Sequence, residues 1–459
     1  MKALLPVKCR DDLKDHQILV PDQTSSIGTV IESIAFGTHQ FSCKASLHGG
    51  HSLIISRPLF EKLLVPYEGN IHVFVHEGTL HLGPLIGIFT AGFTSSIIRP
   101  IGERSLFFSK LLSTEKKVGA YMFLFGANHI NWEDGTMEGF MFTEQGWCKK
   151  TLPFPHVVYD RLPNRRTERH RLLAETREKM QKDYAIPWFN PGFFNKWDIH
   201  QKLMIEENIV DYLPETHSGV TIDKIEKLLS KYPFIYLKPT NGSLGLGVYK
   251  IIYNREEEAY YARYKTEDFV NKLQRSSSLE ALLSHILKNR DLSAYLIQQG
   301  IPLLKVDDSF VDFRVHTNKD EHGKWVVSAM AAKLSGKGSI TTHANSGGII
   351  KTIPEIFTDE KEQELVIHKL THASLLISEA IDTHMPGFIG EIGFDFGLDK
   401  ENRLWMFEAN SKPGRSIFYH PKLRSEDILT RKLSIEYAVY LTENTIKNPE
   451  GVFHERTLL

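Results

Sequence analysis

The strongest constraint on the fold is a strand–loop–strand pattern close to the C-terminus, over residues 391–410. Apolar residues alternate with glycine or acidic residues over 391–398, a turn-forming stretch follows at 399–402, and 403–410 alternates again. Alternation with a period of two is typical of strands that bury one face. The pattern therefore predicts two antiparallel strands joined by a four-residue loop.

Alternation divides the side chains of this hairpin between two faces. If Leu398 pairs with Arg403, one face is apolar and belongs to the core. Its members are Ile392, Phe394, Phe396, Leu398, Trp405, Phe407 and Ala409. The other face brings Asp395 and Glu408 together as diagonal neighbours, with Asn410 beside Glu408. A register slipped by one residue would turn these acids into the core without partners.

The polar face of the hairpin has the composition of a magnesium site. Asp395, Glu408 and Asn410 offer hard oxygen ligands, and Mg²⁺ is usually held by few carboxylates and completed by substrate phosphates. Gly393 and Gly397 alternate with the acids and are expected to leave space above the sheet. A solvated acidic face is the alternative, although such a face does not require glycine.

Two charged residues flank the predicted metal ligands. Arg415 follows the second strand in Lys412-Pro-Gly-Arg415, and we expect it to orient an anionic group beside the metal. Glu391 lies on the same strand face as Asp395 and is a candidate carboxylate behind the ligands.

A second strand–loop–strand pattern, residues 234–252, has a glycine-rich connection. Gly242, Gly245 and Gly247 allow backbone N–H groups to approach phosphate oxygens closely, and Lys238 supplies a positive charge at the end of the first strand. The segment lacks the Gly-Lys-Ser/Thr of a Walker loop, and its GxxGxG spacing differs from the dinucleotide GxGxxG. Taken alone, it fits an ordinary hairpin equally well.

Three segments between these hairpins carry further candidates. Residues 295–301 read as a buried strand that ends in a hinge, whose backbone is able to bind an adenine edge. Asp312 and Arg314 share a strand face and suit ribose hydroxyls and phosphate oxygens, with a surface ion-pair ladder as the alternative. A long loop of small residues contains Lys333 and Asn345, which are candidates for phosphate contacts or ordinary loop residues.

Composition excludes several classes of partner. The chain has 55 Lys and Arg against 56 Asp and Glu, so no net field favours nucleic acid. Cys9, Cys43 and Cys148 lie far apart, which argues against a zinc site or disulfide framework and favours a reducing compartment. The charged start and the absence of long uncharged apolar stretches predict a cytoplasmic protein without membrane insertion.

The pattern along the chain predicts an α/β (α+β) protein of several units. Residues 1–155 form a strand-rich N-terminal domain, and residues 156–195 form a charged linker. The arginines of this linker either hold a phosphate or carboxylate or lie on a solvated helix face. Residues 196–459 form the third unit. Helices are predicted from Asp198 as N-cap to Met204 and at 221–231, 267–290, 358–382 and 425–443.

From about residue 190 onward, the order of these motifs closely resembles the ATP-grasp superfamily. The resemblance implies an ATP-grasp fold over 196–459 that binds ATP with Mg²⁺, or with Mn²⁺ in its place. The implied nucleotide contacts are Lys196, Lys238, Gly242, Ser243, Gly245, Gly247, Gln298, Gln299, Gly300, Ile301, Asp312 and Asn345. The implied catalytic residues are Arg314, Lys333 and Arg415, and the implied metal ligands are Asp395, Glu408 and Asn410. Gln298 departs from the acidic residue common at its position.

The whole chain resembles the YheC/YheD family, and its longer YheD-like type in particular. The likeness includes Leu82-Gly-Pro-Leu-Ile-Gly-Ile and Tyr159-Asp-Arg-Leu-Pro. It implies a role in sporulation, association with the endospore coat and spore-coat proteins as partners.

The reaction expected from this resemblance is ATP-dependent ligation of a carboxylate to an amine through an acylphosphate. Two alternatives use the same ATP-binding parts: a nucleotide-binding coat-assembly protein without catalysis, and a small-molecule kinase. Neither the carboxylate nor the amine follows from the sequence.

Overall fold

The computed structural model describes residues 2–22, 30–240, 242, 246–266, 268, 270–288, 290–336 and 348–450. Within these ranges the strands form four sheets, and helices pack against them. The mixed architecture is an α+β fold, as the sequence predicts.

The first sheet contains the N-terminal strands in the order β4-β3-β8-β7-β1-β6-β2-β5. Its strands are β1 (Lys2–Arg10), β2 (Gln17–Pro21), β3 (Ser33–Phe36), β4 (His39–Ser42), β5 (Lys44–His48), β6 (Leu53–Ser56), β7 (Gly69–His76) and β8 (Thr79–Leu82). Helix α1 (Arg57–Lys62) buries Leu59 and Phe60 beside it. Gly83–Pro84 then links β8 to the second sheet.

The second sheet has parallel strands at its centre, in the order β10-β9-β14-β15. Its strands are β9 (Leu85–Phe89), β10 (Tyr121–Phe125), β11 (Ile130–Asn131), β12 (Thr136–Thr143), β13 (Gly146–Pro153), β14 (Val157–Asp160) and β15 (Trp188–Phe189). Its helices are α2 (Ser105–Leu112), α3 (Glu115–Val118), α4 (Arg165–Glu168) and α5 (Arg171–Asp183). Every residue of β9, β10 and β14 is buried, as expected for parallel strands covered on both faces.

This arrangement differs from the predicted division into a domain over 1–155 and a linker over 156–195. Residues 2–82 and 85–189 form separate sheets, and the supposed linker contributes β14 and β15 to the second one. Parallel strands are joined by long crossovers, so their partners are distant in sequence and local patterns do not reveal them.

The third sheet carries the glycine-rich hairpin, with the order β16-β21-β17-β18-β19-β20. Its strands are β16 (Thr216–His217), β17 (Ile235–Pro239), β18 (Tyr249–Asn254), β19 (Ala259–Lys265), β20 (Asn271–Ser276) and β21 (Tyr295–Gln299). After helix α6 (Lys196–Leu203), helices α7 (Ile222–Lys231) and α8 (Leu279–Leu287) pack on this sheet.

Two helix predictions in this region need correction. The helix predicted at 267–290 is wrong in its first half, because β20 pairs with β19 and α8 begins only after its N-cap, Ser278. This polar edge strand is mostly exposed and has no buried face, so its pairing with β19 decides its conformation. Helix α6 is capped by Asn195 rather than Asp198; the Asn195 side chain accepts hydrogen bonds from the N–H groups of Trp197 and Asp198.

The fourth sheet contains the hairpin of residues 391–410, in the order β25-β24-β23-β26-β27, with β22 beside β23. Its strands are β22 (Lys305–Val306), β23 (Ser309–Lys319), β24 (Trp325–Leu334), β25 (Ile349–Lys351), β26 (Glu391–Leu398) and β27 (Leu404–Asn410). Helix α9 (Glu360–His384) packs on its core, and α10 (Arg424–Lys447) packs between this sheet and the second one. Both confirm the helices predicted at 358–382 and 425–443. In the described part of the chain, no helix combines the length and apolarity needed to cross a membrane.

Candidate functional site

The predicted hairpin of β26 and β27 is present, but its register differs from the sequence expectation. Leu398 pairs with Leu404 rather than Arg403, and Asp395 lies directly opposite Glu408 rather than diagonal to it. Asn410 lies opposite Gly393, so the two carboxylates and the amide share one end of the hairpin. The three predicted metal ligands are therefore brought together.

A β-bulge at Phe407 causes this change of register. The extra residue reverses the alternation beyond it, so Met406 and Leu404 join the core in place of Phe407 and Trp405. The predicted core positions of Phe407 and Trp405 are therefore wrong. Trp405 instead donates a hydrogen bond from Nε1 to Asp399 Oδ2 at 2.9 Å.

Neighbouring side chains pack directly over Gly393 and Gly397, so there is no open space above these two residues. A Cβ on Gly393 would lie 2.4 Å from Pro413 Cβ and 3.1 Å from Arg314 Nη1. A Cβ on Gly397 would lie 2.5 Å from Leu303 and 2.6 Å from Phe407. The expectation of free space was wrong, although the close approaches explain why these positions are glycine.

Lys333 and Arg314 both contact Asp395. Lys333 Nζ lies 2.8 Å from Asp395 Oδ1 and 3.0 Å from Asp312 Oδ1, and Arg314 Nη2 lies 3.4 Å from Asp395 Oδ2. The strand register places these groups, because Arg314 is opposite Asp395 and Lys333 is opposite Asp312. Burial lowers the pKa of Lys333, but the two carboxylates outweigh it and the pKa is raised overall.

The other two predicted lysines face this cluster across a cleft between the third and fourth sheets. Lys196 Nζ lies 3.3 Å from Glu408 Oε1, and Lys238 Nζ donates a hydrogen bond to Gln298 Oε1. Gln298 in turn donates from Nε2 to Thr216 Oγ1 at 3.0 Å. Burial, reinforced by the charge of Lys196, lowers the pKa of Lys238 to about 8. Further residues lining the cleft are Ile199, His200, Leu296, Met406 and Phe407.

The predicted adenine hinge has its backbone donors engaged by the protein. The N–H of Gln299 donates to the carbonyl of Glu215 at 2.8 Å, and the N–H of Gly300 donates to the carbonyl of Phe234 at 3.0 Å. A Cβ on Gly300 would lie 2.1 Å from the Phe234 ring. An adenine contact at Ile301 remains a prediction.

The glycine-rich connection joins β17 and β18, which pair as the predicted antiparallel hairpin. Gly247 has a φ of +73°, the left-handed conformation expected of a loop glycine. Gly242 lies against Pro239, to which a Cβ would approach within 2.4 Å. The predicted contacts Ser243, Gly245 and Asn345 lie outside the described residues.

Arg415 points toward helix α10. Its guanidinium bonds the Asp427 carboxylate at 2.7 Å and the Thr430 hydroxyl, and it lies 4.5 Å from the Phe418 ring centroid. These contacts hold Arg415 on the C-terminal helix, and its predicted role beside the transferred phosphate remains a prediction.

Two buried ion pairs join the second sheet to the β26–β27 hairpin and the segment that follows it. Arg161 pairs with Glu391, which also accepts a hydrogen bond from Tyr159 Oη at 2.5 Å. Asp160 pairs with Lys412 at 2.6 Å, and these two side chains are 1% and 3% exposed. Arg161 thus holds a carboxylate of this chain, and Glu391 faces Arg161 rather than the predicted metal ligands.

Asn190 completes this junction. It is buried in a left-handed conformation with φ of +55°. Its Nδ2 donates to the carbonyls of Glu391 at 2.8 Å and Ser411 at 2.5 Å, and its Oδ1 accepts from the N–H of Gly390 at 2.9 Å. One side chain therefore ties the start of β26 to the end of β27. The sequence prediction missed this residue, whose Asn-Pro-Gly context indicated only a loop.

The ligand set fits Mg²⁺ in its chemistry. In the described part of the chain, no group of three or more His, Cys, Asp or Glu side chains is arranged to hold a metal. Two facing carboxylates and an amide oxygen are nonetheless the small set of hard donors that Mg²⁺ accepts when water and phosphate supply the rest.

The paired sheets and the cleft between them are those of an ATP-grasp protein. A family model described as YheC/D like ATP-grasp matches residues 185–441. This chain belongs to that family.

The chain is similar to two curated proteins and to solved structures. Endospore coat-associated protein YheD of Bacillus subtilis (strain 168) is 43% identical over 445 residues, which cover 96% of this chain and 97% of that protein. Endospore coat-associated protein YheC of the same organism is 24% identical over 277 residues, which cover 59% of this chain and 73% of that protein. The crystal structure of D-alanyl-alanine synthetase A from Vibrio cholerae aligns with a TM-score of 0.45 at 14% identity, covering 79% of this chain and 99% of that one.

Proposed function

We propose that this protein is a magnesium- and ATP-dependent ligase that joins a carboxylate to an amine through an acylphosphate. One observation carries the proposal: Lys196 and Lys238 line the same cleft as Glu408. Glu408 is in turn the strand partner of Asp395. Cations that bind phosphates and oxygens that bind a metal thus meet in one cleft. Membership in an ATP-grasp family supports the same conclusion.

Mg²⁺, held by Asp395, Glu408 and Asn410, would neutralise phosphate charge and polarise the γ-phosphate; Mn²⁺ would serve in its place. Lys238, protonated below its pKa of about 8, attracts the nucleotide phosphates. Lys196 adds a second positive charge on the same side of the cleft. These residues bind and orient the nucleotide, so their contribution is positioning and neutralisation of charge.

In the reaction, a substrate carboxylate oxygen attacks the γ-phosphorus, and the bond to the bridging oxygen breaks to release ADP. The amine nitrogen then attacks the acyl carbon, phosphate leaves, and the nitrogen loses a proton. Arg314 and Lys333 lie next to Asp395 and steady the negative charge that develops on the transferred group. Arg415 has the same proposed role.

We also propose association with the spore coat during sporulation, because the relative that matches nearly the whole chain is named for the endospore coat. The protein would be made in the cytoplasm and would meet coat proteins there. Its small-molecule partners are ATP, a carboxylate and an amine.

The test is a mass-spectrometric search for a product formed only with ATP, Mg²⁺ and an extract of sporulating cells. Glu408→Gln removes one negative ligand charge and is expected to abolish substrate-dependent ADP release while the melting temperature stays unchanged. Glu401→Gln, on the exposed loop of the same hairpin, is the matched control and retains turnover. Unchanged ADP release by Glu408→Gln would refute the proposed site.

A second candidate is nucleotide binding without turnover, in a coat-assembly role. It is favoured by the two cations already held by Asp395, because a metal must compete with Lys333 and Arg314 for that carboxylate. Tight ATP binding with no ADP release across a broad substrate panel would identify this function. A phosphorylated product without an incorporated amine would identify a kinase instead.

A further inference from the structure

A second cavity lies in the second sheet, at the carboxyl ends of its parallel strands. Residues that follow β9 and β10 line it, as does the segment after β14. Its volume of about 670 Å³ falls within the roughly 300–1,000 Å³ of small-molecule sites. Ligands of parallel α/β sheets bind outside the carboxyl ends of the strands, so the position suits a binding site.

The lining of this cavity combines one arginine with two histidines and apolar surface. Among its described residues there is no Asp or Glu, whereas Arg166, His129 and His170 are present. Phe93 and Leu173 supply apolar surface. Ala127 also lines the cavity. A carboxylate would find a counter-ion here, whereas an ammonium group would find none.

His129 acts in this cavity as a neutral hydrogen-bond donor. Its Nδ1 accepts the N–H of Gly126 at 2.9 Å, and this bond assigns the proton to Nε2. Burial lowers the pKa of His129 below its usual value, so the ring is uncharged at neutral pH. Phe93 packs edge-on against the ring at 4.3 Å between centroids. Arg166 is therefore the permanent positive charge of the lining.

The segment that carries Arg166 also contacts the residues that lead into helix α6. Its neighbour Arg165 donates to the carbonyls of Phe193 at 3.3 Å and Phe194 at 2.5 Å, and Phe194 lies two residues before Lys196. Burial lowers the pKa of Arg165, and the nearby Glu408 carboxylate is among the groups that oppose this shift. One short segment thus lines the cavity through Arg166 and, through Arg165, contacts the backbone that leads into Lys196.

We propose that this cavity binds the carboxylate substrate, and that this substrate is an acid with an apolar side chain and no free amine. Arg166 pairs with the carboxylate, while Phe93 and Leu173 contact the apolar part. Identification of this acid as the group that receives the γ-phosphate rests on the proposed ligase function. Its binding in the cavity does not require turnover.

The test measures binding by titration calorimetry on the full chain without ATP, with N-acetyl-L-phenylalanine as the probe. Saturable binding is expected, and it should be absent for N-acetyl-L-phenylalanine amide and for phenylethylamine. Arg166→Gln is expected to weaken binding of the acid roughly tenfold or more, because a charge-assisted hydrogen bond is lost. Arg169→Gln, an exposed arginine outside the lining, is the matched control and binds as the unmodified protein does.

Ala127→Trp places an indole ring in the cavity and is expected to block binding while Arg166 remains, with circular dichroism confirming the fold. Equal affinity in the unmodified protein and Arg166→Gln, or no saturable binding in the unmodified protein, would overturn the proposal. So would inorganic phosphate that competes as well as the acid. Because the binding measurement involves no ATP, its failure would concern only the cavity. Failure of the ligase proposal would be seen separately, in the ADP release that depends on Glu408.

Discussion

Lys333 Nζ lies 2.8 Å from Asp395 Oδ1, so the ammonium group holds the carboxylate that is predicted to bind Mg²⁺. The same ammonium also lies 3.0 Å from Asp312. Lys333 thus places a positive charge between Asp312 and the buried Asp395, and a metal ion at Asp395 would have to compete with this pairing.

Lys333→Met is expected to destabilise the fold by about 3 kcal/mol, because the buried Asp395 and the neighbouring Asp312 lose their shared cation. Millimolar MgCl₂ should restore more stability to the variant than to the unmodified protein. Urea unfolding with and without MgCl₂ measures both effects. Lys324→Met, at an exposed position, is the control and should not respond to the metal. Equal Mg²⁺ responses in all three proteins would contradict the competition.

The affinity for ATP should fall as the pH rises through about 8, the pKa of Lys238 in the free protein. Below this pH the lysine is protonated and attracts phosphate; above it, each pH unit costs up to about tenfold in affinity until the pKa of the complex is reached. Nucleotide titrations from pH 6.5 to about 9.5 provide the measurement. Lys238→Arg keeps its charge and should remove this part of the pH dependence. Identical profiles for the two proteins would rule out Lys238 as the titrating group.

Lys412→Met should lower the free energy of unfolding by about 3–5 kcal/mol, because it leaves the Asp160 carboxylate buried without its cation. Chemical denaturation measures the loss. Lys182→Met removes an exposed partner of Glu178 and should leave the unfolding midpoint unchanged. A loss no larger than that of the control would mean that the buried pair contributes little to stability.

Gly393→Ala should destabilise the protein by about 1–3 kcal/mol and reduce activity, since the new Cβ would force Pro413 or Arg314 to move. Gly414→Ala, where a Cβ would meet nothing within 4 Å, is the matched control. Thermal unfolding and ADP release follow the two consequences separately. Full activity with native stability in Gly393→Ala would show that the contact of Pro413 and Arg314 with this position tolerates a methyl group.

The sequence predicted the parts of the fold that depend on local alternation and failed where distant contacts decide. The hairpin containing Asp395 and Glu408 was predicted because acids, glycines and aromatics alternate within 20 residues. The bulge at Phe407 was missed, since one inserted residue leaves the composition of the strand unchanged while reversing the direction of Trp405.

Within the site, too, local alternation predicted some contacts, whereas others depend on residues that are distant in sequence. Strand parity placed Asp312 and Arg314 on one face, but the bond between Lys333 and Asp395 depends on how β24, β23 and β26 lie side by side. Asp160 and Lys412 are 252 residues apart, so their pairing had no local signal except two charges beside apolar runs. The predicted ligand roles of the site residues remain predictions.

The buried pairs Asp160–Lys412 and Arg161–Glu391 constrain how the sequences of relatives can change. The family match begins at residue 185, yet the partners of Lys412 and Glu391 lie before that point. A relative that lost the segment before residue 185 would keep Lys412 and Glu391 without their oppositely charged partners. We therefore expect positions 160 and 412, and likewise 161 and 391, to change together among relatives, so that the two segments evolve as one heritable unit.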